Sequence, residues 1–329
     1  MNSYRKLKNL LQNLEVHNIS IFYHSLLTYP NQTSKIKKIS DISSITKLKN
    51  LKKLYLTCNS IEDISALQSL TDLTHLCLFQ NKLTSYTLAL PNLVKLILGG
   101  NKLQDKSGLQ HSPKLESLSL YKTETTDLQT IKQFGLKYLY LSSNSITEIS
   151  HLSNFIDLQY LYLNDNKQLK NIGPLKFCTQ LTQLVISDSN VADIWPLQFM
   201  KNLKTLDISY TQVVDLHPLQ HLYKLKDISA SYSCIIDVSP LSKLTQFNYL
   251  YIQNNKITNA DTLKHSSVDS SCQLQTTFIE GWNQSIHKDN FPQLVLKTMN
   301  TPSRTLIKWN IIIQNLTALG KDKIIVCHI

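Results

Sequence analysis

The chain has 329 residues, 42% of them hydrophobic, and a formal net charge of +11 from 34 basic and 23 acidic side chains. That is long enough for one elongated body with end caps, and no apolar run approaches the length of a membrane span. Residues 1–53 carry +8, residues 54–263 carry 0 and residues 264–329 carry +3, and only Arg5 and Arg304 are arginines. A neutral centre with so little arginine, the residue that reads bases and phosphates bidentately, ranks nucleic acid below other partners.

In chain order, residues 1–47 read as an N-terminal cap. Met1 to Lys8 is basic, and Leu7, Leu10, Leu11 and Leu14 follow at helical spacing. The segment has neither a continuous apolar stretch nor a small-residue cleavage site, so it is not read as a signal peptide. Tyr4 to Leu14 reads as an amphipathic helix, with a degenerate repeat as the alternative. Pro30 to Ser34 is a turn-rich connector. Ile36, Ile39, Ile42, Ile45 and Leu48 match the second half of a repeating unit that leads into the first full strand.

Residues 48–263 hold one frame about ten times. Leu51, Leu54, Leu56, Asn59, Ile61, Ile64 and Leu67 set it, and Leu203, Leu206, Ile208, Thr211, Val213, Leu216 and Leu219 repeat it. The first strand leucine falls at Leu54, Leu76, Leu96, Leu118, Leu139, Leu161, Leu184, Leu206, Ile228 and Leu250, in steps of 20 to 23 residues. This LxxLxLxxN frame with a period in the low twenties is the mark of a leucine-rich repeat. The predicted architecture is an α/β solenoid, a curved stack of about ten full repeats. Its concave face is a parallel β-sheet, and its convex face carries short 3₁₀ or helical turns. The Asn position reads Asn59, Asn81, Asn101, Thr123, Asn144, Asn166, Ser189, Thr211, Ser233 and Asn255, all able to bond backbone groups in a buried turn. Asp193-Ile194-Trp195-Pro196-Leu197, Asp215-Leu216-His217-Pro218-Leu219 and Asp237-Val238-Ser239-Pro240-Leu241 fit short helical starts. The remaining 264–329 opens with a serine-rich stretch. Apolar clusters follow without repeat register, to be read as a divergent C-terminal cap, an appended fold or a tail.

Strand residues between the leucines point out of the core, so they line the concave face. Their columns hold Tyr55, Phe79, Tyr121, Tyr138, Tyr140, Tyr160, Tyr162, Asp165, Asp188, Asp207, Tyr210, Asp227, Tyr232, Tyr249 and Tyr251, which include ten of the fifteen tyrosines. Lys53, His75, Lys95 and Lys122 occupy the N-terminal half, and the four aspartates the C-terminal half. With rungs roughly 5 Å apart, Tyr138, Tyr140, Tyr160 and Tyr162 should form one patch. Tyrosine supplies contact area at low entropic cost, so these residues are the candidate protein-binding site. The bland alternative is that tyrosine simply suits strands.

No catalytic constellation stands out. His75 and Cys77 alternate on one strand roughly 7 Å apart, too far for a thiol–imidazole bond without tilt. The aspartates lie in different columns, which spreads them too far for a cation site. No metal, cofactor or catalytic residue is expected. The six cysteines are scattered without metal-ligand spacing, which favours a reduced, intracellular setting, cytoplasmic or nuclear.

The 22-residue form with D-h-x-P-L on the convex side resembles the leucine-rich regulatory subunit of type-one serine/threonine protein phosphatase, and equally the repeat domain of internalins. The first resemblance implies a non-catalytic scaffold or regulatory subunit, monomeric alone, binding a Ser/Thr phosphatase through acidic and aromatic concave residues. The second implies a surface adhesion or virulence ligand, which would require secretion.

Overall fold

The computed structural model describes residues 38–132 and 135–265, together with the backbone of two flanking strands at 18–20 and 273–275. Twelve three-residue strands form one parallel sheet in strict chain order: β1 (Asn18–Ser20), β2 (Lys53–Tyr55), β3 (His75–Cys77), β4 (Lys95–Ile97), β5 (Ser117–Ser119), β6 (Tyr138–Tyr140), β7 (Tyr160–Tyr162), β8 (Gln183–Val185), β9 (Thr205–Asp207), β10 (Asp227–Ser229), β11 (Tyr249–Tyr251) and β12 (Gln273–Gln275). The pairing follows the leucine frame. Leu54 lies opposite Leu76, Leu118 opposite Leu139, and Ile228 opposite Leu250. All ten predicted strand residues from Leu54 to Leu250 are essentially inaccessible. The leucine-rich repeat solenoid expected from the sequence is therefore the observed fold.

The sheet extends one rung beyond the repeat frame at each end. Ile19 pairs with Leu54, and Leu274 pairs with Leu250. The helix expected at Tyr4 to Leu14 and the segment beyond Gln275 lie outside the described residues.

Each asparagine at this position ties two rungs together. The Asn101 amide donates to the carbonyls of Leu98 (2.7 Å) and Leu78 (2.9 Å), and its oxygen accepts from the N–H of Leu83 (3.1 Å). Asn144 and Asn166 repeat the pattern. The residue just before the Asn position has positive φ in every repeat: Cys58, Gln80, Gly100, Lys122, Ser143, Asp165, Asp188, Tyr210, Tyr232 and Asn254. This left-handed residue lets the chain turn out of the strand so that the Asn side chain can fold inward. Only one of the ten is glycine.

On the convex side, 3₁₀ turns such as Ser65–Ser69, Trp195–Phe199 and Ser239–Leu241 connect the strands. The preceding acid starts them. Asp63, Asp193 and Asp237 each accept from the N–H two residues on, at 2.7–2.9 Å. Those bonds hold the carboxyls of Asp41, Asp63, Asp105 and Asp237 below the usual range. The 20-residue step between β3 and β4 has no such turn. The chain there runs extended, with Ser85 bridged to Asp105 and the buried Tyr86 ring filling the layer. It presses on the next repeat so closely that a Cβ at Gly108 would sit 2.7 Å from the backbone of Thr87 and Leu88.

Candidate protein-interaction face

The strands present three zones on the concave face. In the N-terminal zone, Tyr55, Cys77 and Ile97 form a small buried cluster with Phe79 packed against it. The Phe79 and Tyr121 rings stack with centroids 6.3 Å apart. Burial, aided by the charges of Lys53 and Lys95, drops the His75 pKa to about 4, and its Nδ1 bonds Thr74 Oγ1 at 2.9 Å. Cys77 Sγ lies 3.3 Å from Thr57 Oγ1, and burial pushes its pKa up. The two groups thus have separate partners, and the sulfur is held as a thiol.

In the central zone the structure brings together the four tyrosines that the sequence placed there, as two parallel stacks. Tyr138 and Tyr160 stack at 4.7 Å, and Tyr140 and Tyr162 at 4.9 Å. The columns differ in depth. Tyr162 is 5% exposed, and burial pushes the Tyr140 hydroxyl up to about 12 and that of Tyr162 up as well. Pointing away from the leucines does not leave these rings free of the fold. Neighbouring rungs bury Tyr162 and desolvate the Tyr140 hydroxyl, so this inner pair supports the sheet, while Tyr138 and Tyr160, half-buried like Tyr140, form the outer pair.

In the C-terminal zone the aspartates occupy distinct settings. Asp165 and Asp188 stand at left-handed positions. Asp207 accepts from the Ser209 N–H at 3.0 Å and is bonded by the hydroxyls of Ser209, Ser187 and Ser229, yet burial still raises its pKa. One Asp227 oxygen accepts from Thr205 Oγ1 at 3.2 Å. The other is buried without a partner, as are Ser231 Oγ and Gln253 Oε1. Around them Tyr210 and Tyr232 stack at 4.6 Å and 5°, both exposed, and Tyr249 and Tyr251 lie 6.1 Å apart. Asp227 lies opposite Thr205 and Asp207 opposite Ser229, so these two carboxyls occupy neighbouring rungs in different columns, whereas Asp165 and Asp188 stay on their own turns.

The convex face carries an aromatic group that the sequence reading overlooked. Phe177, Trp195 and Phe199 are exposed on adjacent turns, with Lys176 Nζ 4.8 Å from the Phe177 ring centre and 5.9 Å from that of Trp195. The available signal was an aromatic residue at turn positions that elsewhere hold polar or small residues such as Lys47, Ser69, His111 and Asn154. Among the described residues no group of His, Cys, Asp or Glu could hold a metal ion, and no helix is long and apolar enough to cross a membrane.

A single-layer parallel ladder with an Asn spine and an open aromatic face defines a repeat solenoid built to present a surface. The family model for leucine-rich repeats matches residues 49–90 and 135–177. The internalin InlF of Listeria monocytogenes is 30% identical, with a TM-score of 0.69, over 72% of this chain and 70% of that one. The chain belongs to the leucine-rich repeat proteins. A leucine-rich repeat protein of Leptospira interrogans shares the fold at 21% identity and a TM-score of 0.59, over 68% of this chain and 67% of its own. The functional domain of InlJ from Listeria monocytogenes, which includes a cysteine ladder, shares it at 24% and 0.58, over 67% and 48%. No curated protein matches the chain.

Proposed function

We propose that this protein is a non-catalytic scaffold or regulatory subunit that binds one protein partner across its concave face. The observation that carries this reading is the two groups of stacked tyrosines on the concave face, Tyr138, Tyr140, Tyr160 and Tyr162 on β6 and β7, and Tyr210, Tyr232, Tyr249 and Tyr251 on the rungs of β9 to β11. Rigid aromatic area of this kind anchors interfaces. A Ser/Thr phosphatase is the partner class that the repeat form and the acidic–aromatic columns favour. The basic ends act as an accessory contact.

A second reading, a surface adhesion ligand, draws on the 30% identity to an internalin. Localisation of the native protein separates the two. Affinity capture from cells should recover a partner that is lost with Tyr138→Ala plus Tyr160→Ala but kept with Lys201→Ala plus Lys243→Ala on the convex side. Replacing this outer pair of tyrosines should weaken binding by about 2 kcal/mol or more while leaving the circular dichroism spectrum unchanged. Equal recovery with both variants would overturn the concave assignment.

A further inference from the structure

Three basic residues of the concave face stand in one line. Lys53, His75 and Lys95 are direct ladder partners on β2, β3 and β4, Lys53 opposite His75 and His75 opposite Lys95. Rungs repeat about every 4.8 Å, and further along this same column the Tyr138 and Tyr160 rings keep 4.7 Å between them. The row is therefore about 10 Å long, with a flexible ammonium stem at each end and the imidazole between. All three side chains are half-buried, and the next column along the strands is the buried cluster of Tyr55, Cys77 and Ile97.

No acid balances this charge. The strands β2 to β5 contain no acidic residue. The ion pairs among the described residues, Lys82–Glu62, Lys102–Glu124 and Lys137–Glu116, use none of the row. Proteins ordinarily pair the charges they desolvate, and burial already lowers the Lys95 pKa. The histidine adds an independent sign. The Thr74 hydroxyl donates to the Lys52 carbonyl at 3.0 Å, so toward His75 Nδ1, at 2.9 Å, it must accept. That puts the imidazole proton on Nδ1 and leaves Nε2 with a lone pair and no partner among the described residues. Lys53 and Tyr55 face His75 from β2, Lys95 faces it from β4, and Cys77 shares its strand. The two charges in that set are both positive, and with burial they hold its pKa near 4. An anion over the row would reverse the balance, letting Nε2 take a proton and donate.

We propose that Lys53, His75 and Lys95 form a docking row for an acidic segment of the protein partner, an extended stretch whose alternate side chains are carboxylates. This rests on the concave-face reading and states which end of that face meets the partner's negative charge. Alternate residues of an extended chain repeat every 6–7 Å or so, which two lysine stems about 10 Å apart can bracket. A row suits such a segment better than a single anion, and the adjoining apolar cluster strengthens each contact by lowering the local dielectric.

The test titrates N-acetyl-Glu-Ser-Glu-Ser-Glu amide into the full-length protein at low salt and follows backbone amide shifts by NMR. Saturable shifts are expected at residues 53–55, 75–77 and 95–97, and the neutral peptide with Gln in place of Glu should give none. Lys53→Gln plus Lys95→Gln should weaken binding about tenfold. Lys53→Arg plus Lys95→Arg should retain it, which separates lost charge from a damaged fold. Since the complex binds the His75 proton more tightly than the free protein does, affinity should rise about threefold from pH 7.5 to 5.5. His75→Asn should flatten that rise. Equal shifts with the Gln peptide, shifts mapping elsewhere, an unchanged affinity in the double Gln variant or a flat pH profile would each overturn the row. So would a DNA duplex that outcompetes the peptide at these residues, making the row a phosphate contact. If the row fails while Tyr138→Ala plus Tyr160→Ala still abolishes partner capture, the concave-face reading stands. If the peptide binds as expected but those tyrosines prove irrelevant to capture, that reading falls and the row remains an acidic-peptide site.

Discussion

Tyr210 and Tyr232 each adopt a left-handed backbone, φ 55° and 54°, that bulky residues rarely occupy. Such a conformation costs of order 1 kcal/mol, and glycine would remove the cost. Both rings are exposed, so what they return to the fold is chiefly their mutual stacking. Tyr210→Gly should accordingly leave stability within about 1 kcal/mol of the parent, the two terms nearly cancelling. A denaturant midpoint that fell by more than twice that would show the ring to be structural. Asp207 makes the opposite case, a buried charge with hydroxyl partners but no cation. Its folded pKa lies above the unfolded value of 3.8, so the folded state binds the proton more tightly. The resulting penalty is fully present above the folded pKa and vanishes as pH falls below the unfolded one. Asp207→Asn should therefore be more stable than the parent at pH 7 and equal to it near pH 3.5, measured as the difference between two thermal melts at each pH. A constant difference across that range would place the effect in packing rather than charge. The sequence made the columns of these residues readable, because side chains alternate along a strand. The left-handed backbone and the unpaired oxygens were not readable, since each depends on how a turn closes against its neighbour.

The spine is strong where it is asparagine and thinner where it is not. Ser189 and Thr211 satisfy the carbonyl of their own rung, Ile186 and Ile208 respectively, each at 2.7 Å. Neither reaches the preceding rung as Asn101 and Asn166 do. Thr211→Asn should add bonds to the Ile186 carbonyl and to the Val191 N–H, stabilising the array by about 1 kcal/mol. Conversely, Asn101→Ala should cost about 1–3 kcal/mol, because the Leu98 carbonyl and the N–H groups of Asn81 and Leu83 lose their side-chain partner, while the Leu78 carbonyl keeps Asn81. Urea unfolding of the two variants checks both signs, and a neutral Thr211→Asn would mean that the β8–β9 seam has no spare acceptor. The Asn column and the acidic turn starts were legible because each requires one residue type at one place. The 20-residue step was legible only as a deletion. That Tyr86 would fill the gap, and that the turn would be replaced by an extended bridge, depended on packing between two repeats.

Across the whole molecule, the frame from Leu54 to Leu250 announced its ten rungs because each repeats the full leucine set. The rungs at Asn18–Ser20 and Gln273–Gln275 did not, since Ile19 precedes Leu54 by 35 residues and Leu274 is flanked by glutamines. Their presence changes how the basic ends should be tested. Deleting residues 1–35 would remove β1 and expose the edge of β2, confusing charge with fold. Substituting Arg5, Lys6, Lys8, Lys35 and Lys37 by glutamine removes five of the ten basic charges of residues 1–53 and leaves Asn18–Ser20 in the chain. The repeat body from 54 to 263 is neutral overall, and its concave face sorts lysines toward one end and aspartates toward the other. It therefore offers no continuous basic track for a phosphate backbone. The expected behaviour is weak, sequence-independent binding of a DNA duplex at low salt. Fluorescence anisotropy should show it fading by about 0.2 M salt, as counterion release dictates, and weakening markedly in the glutamine variant. Binding that kept its full strength through both the salt and the substitution would not be carried by the basic N-terminal charge, and nucleic acid would then compete with protein as the partner of the concave face.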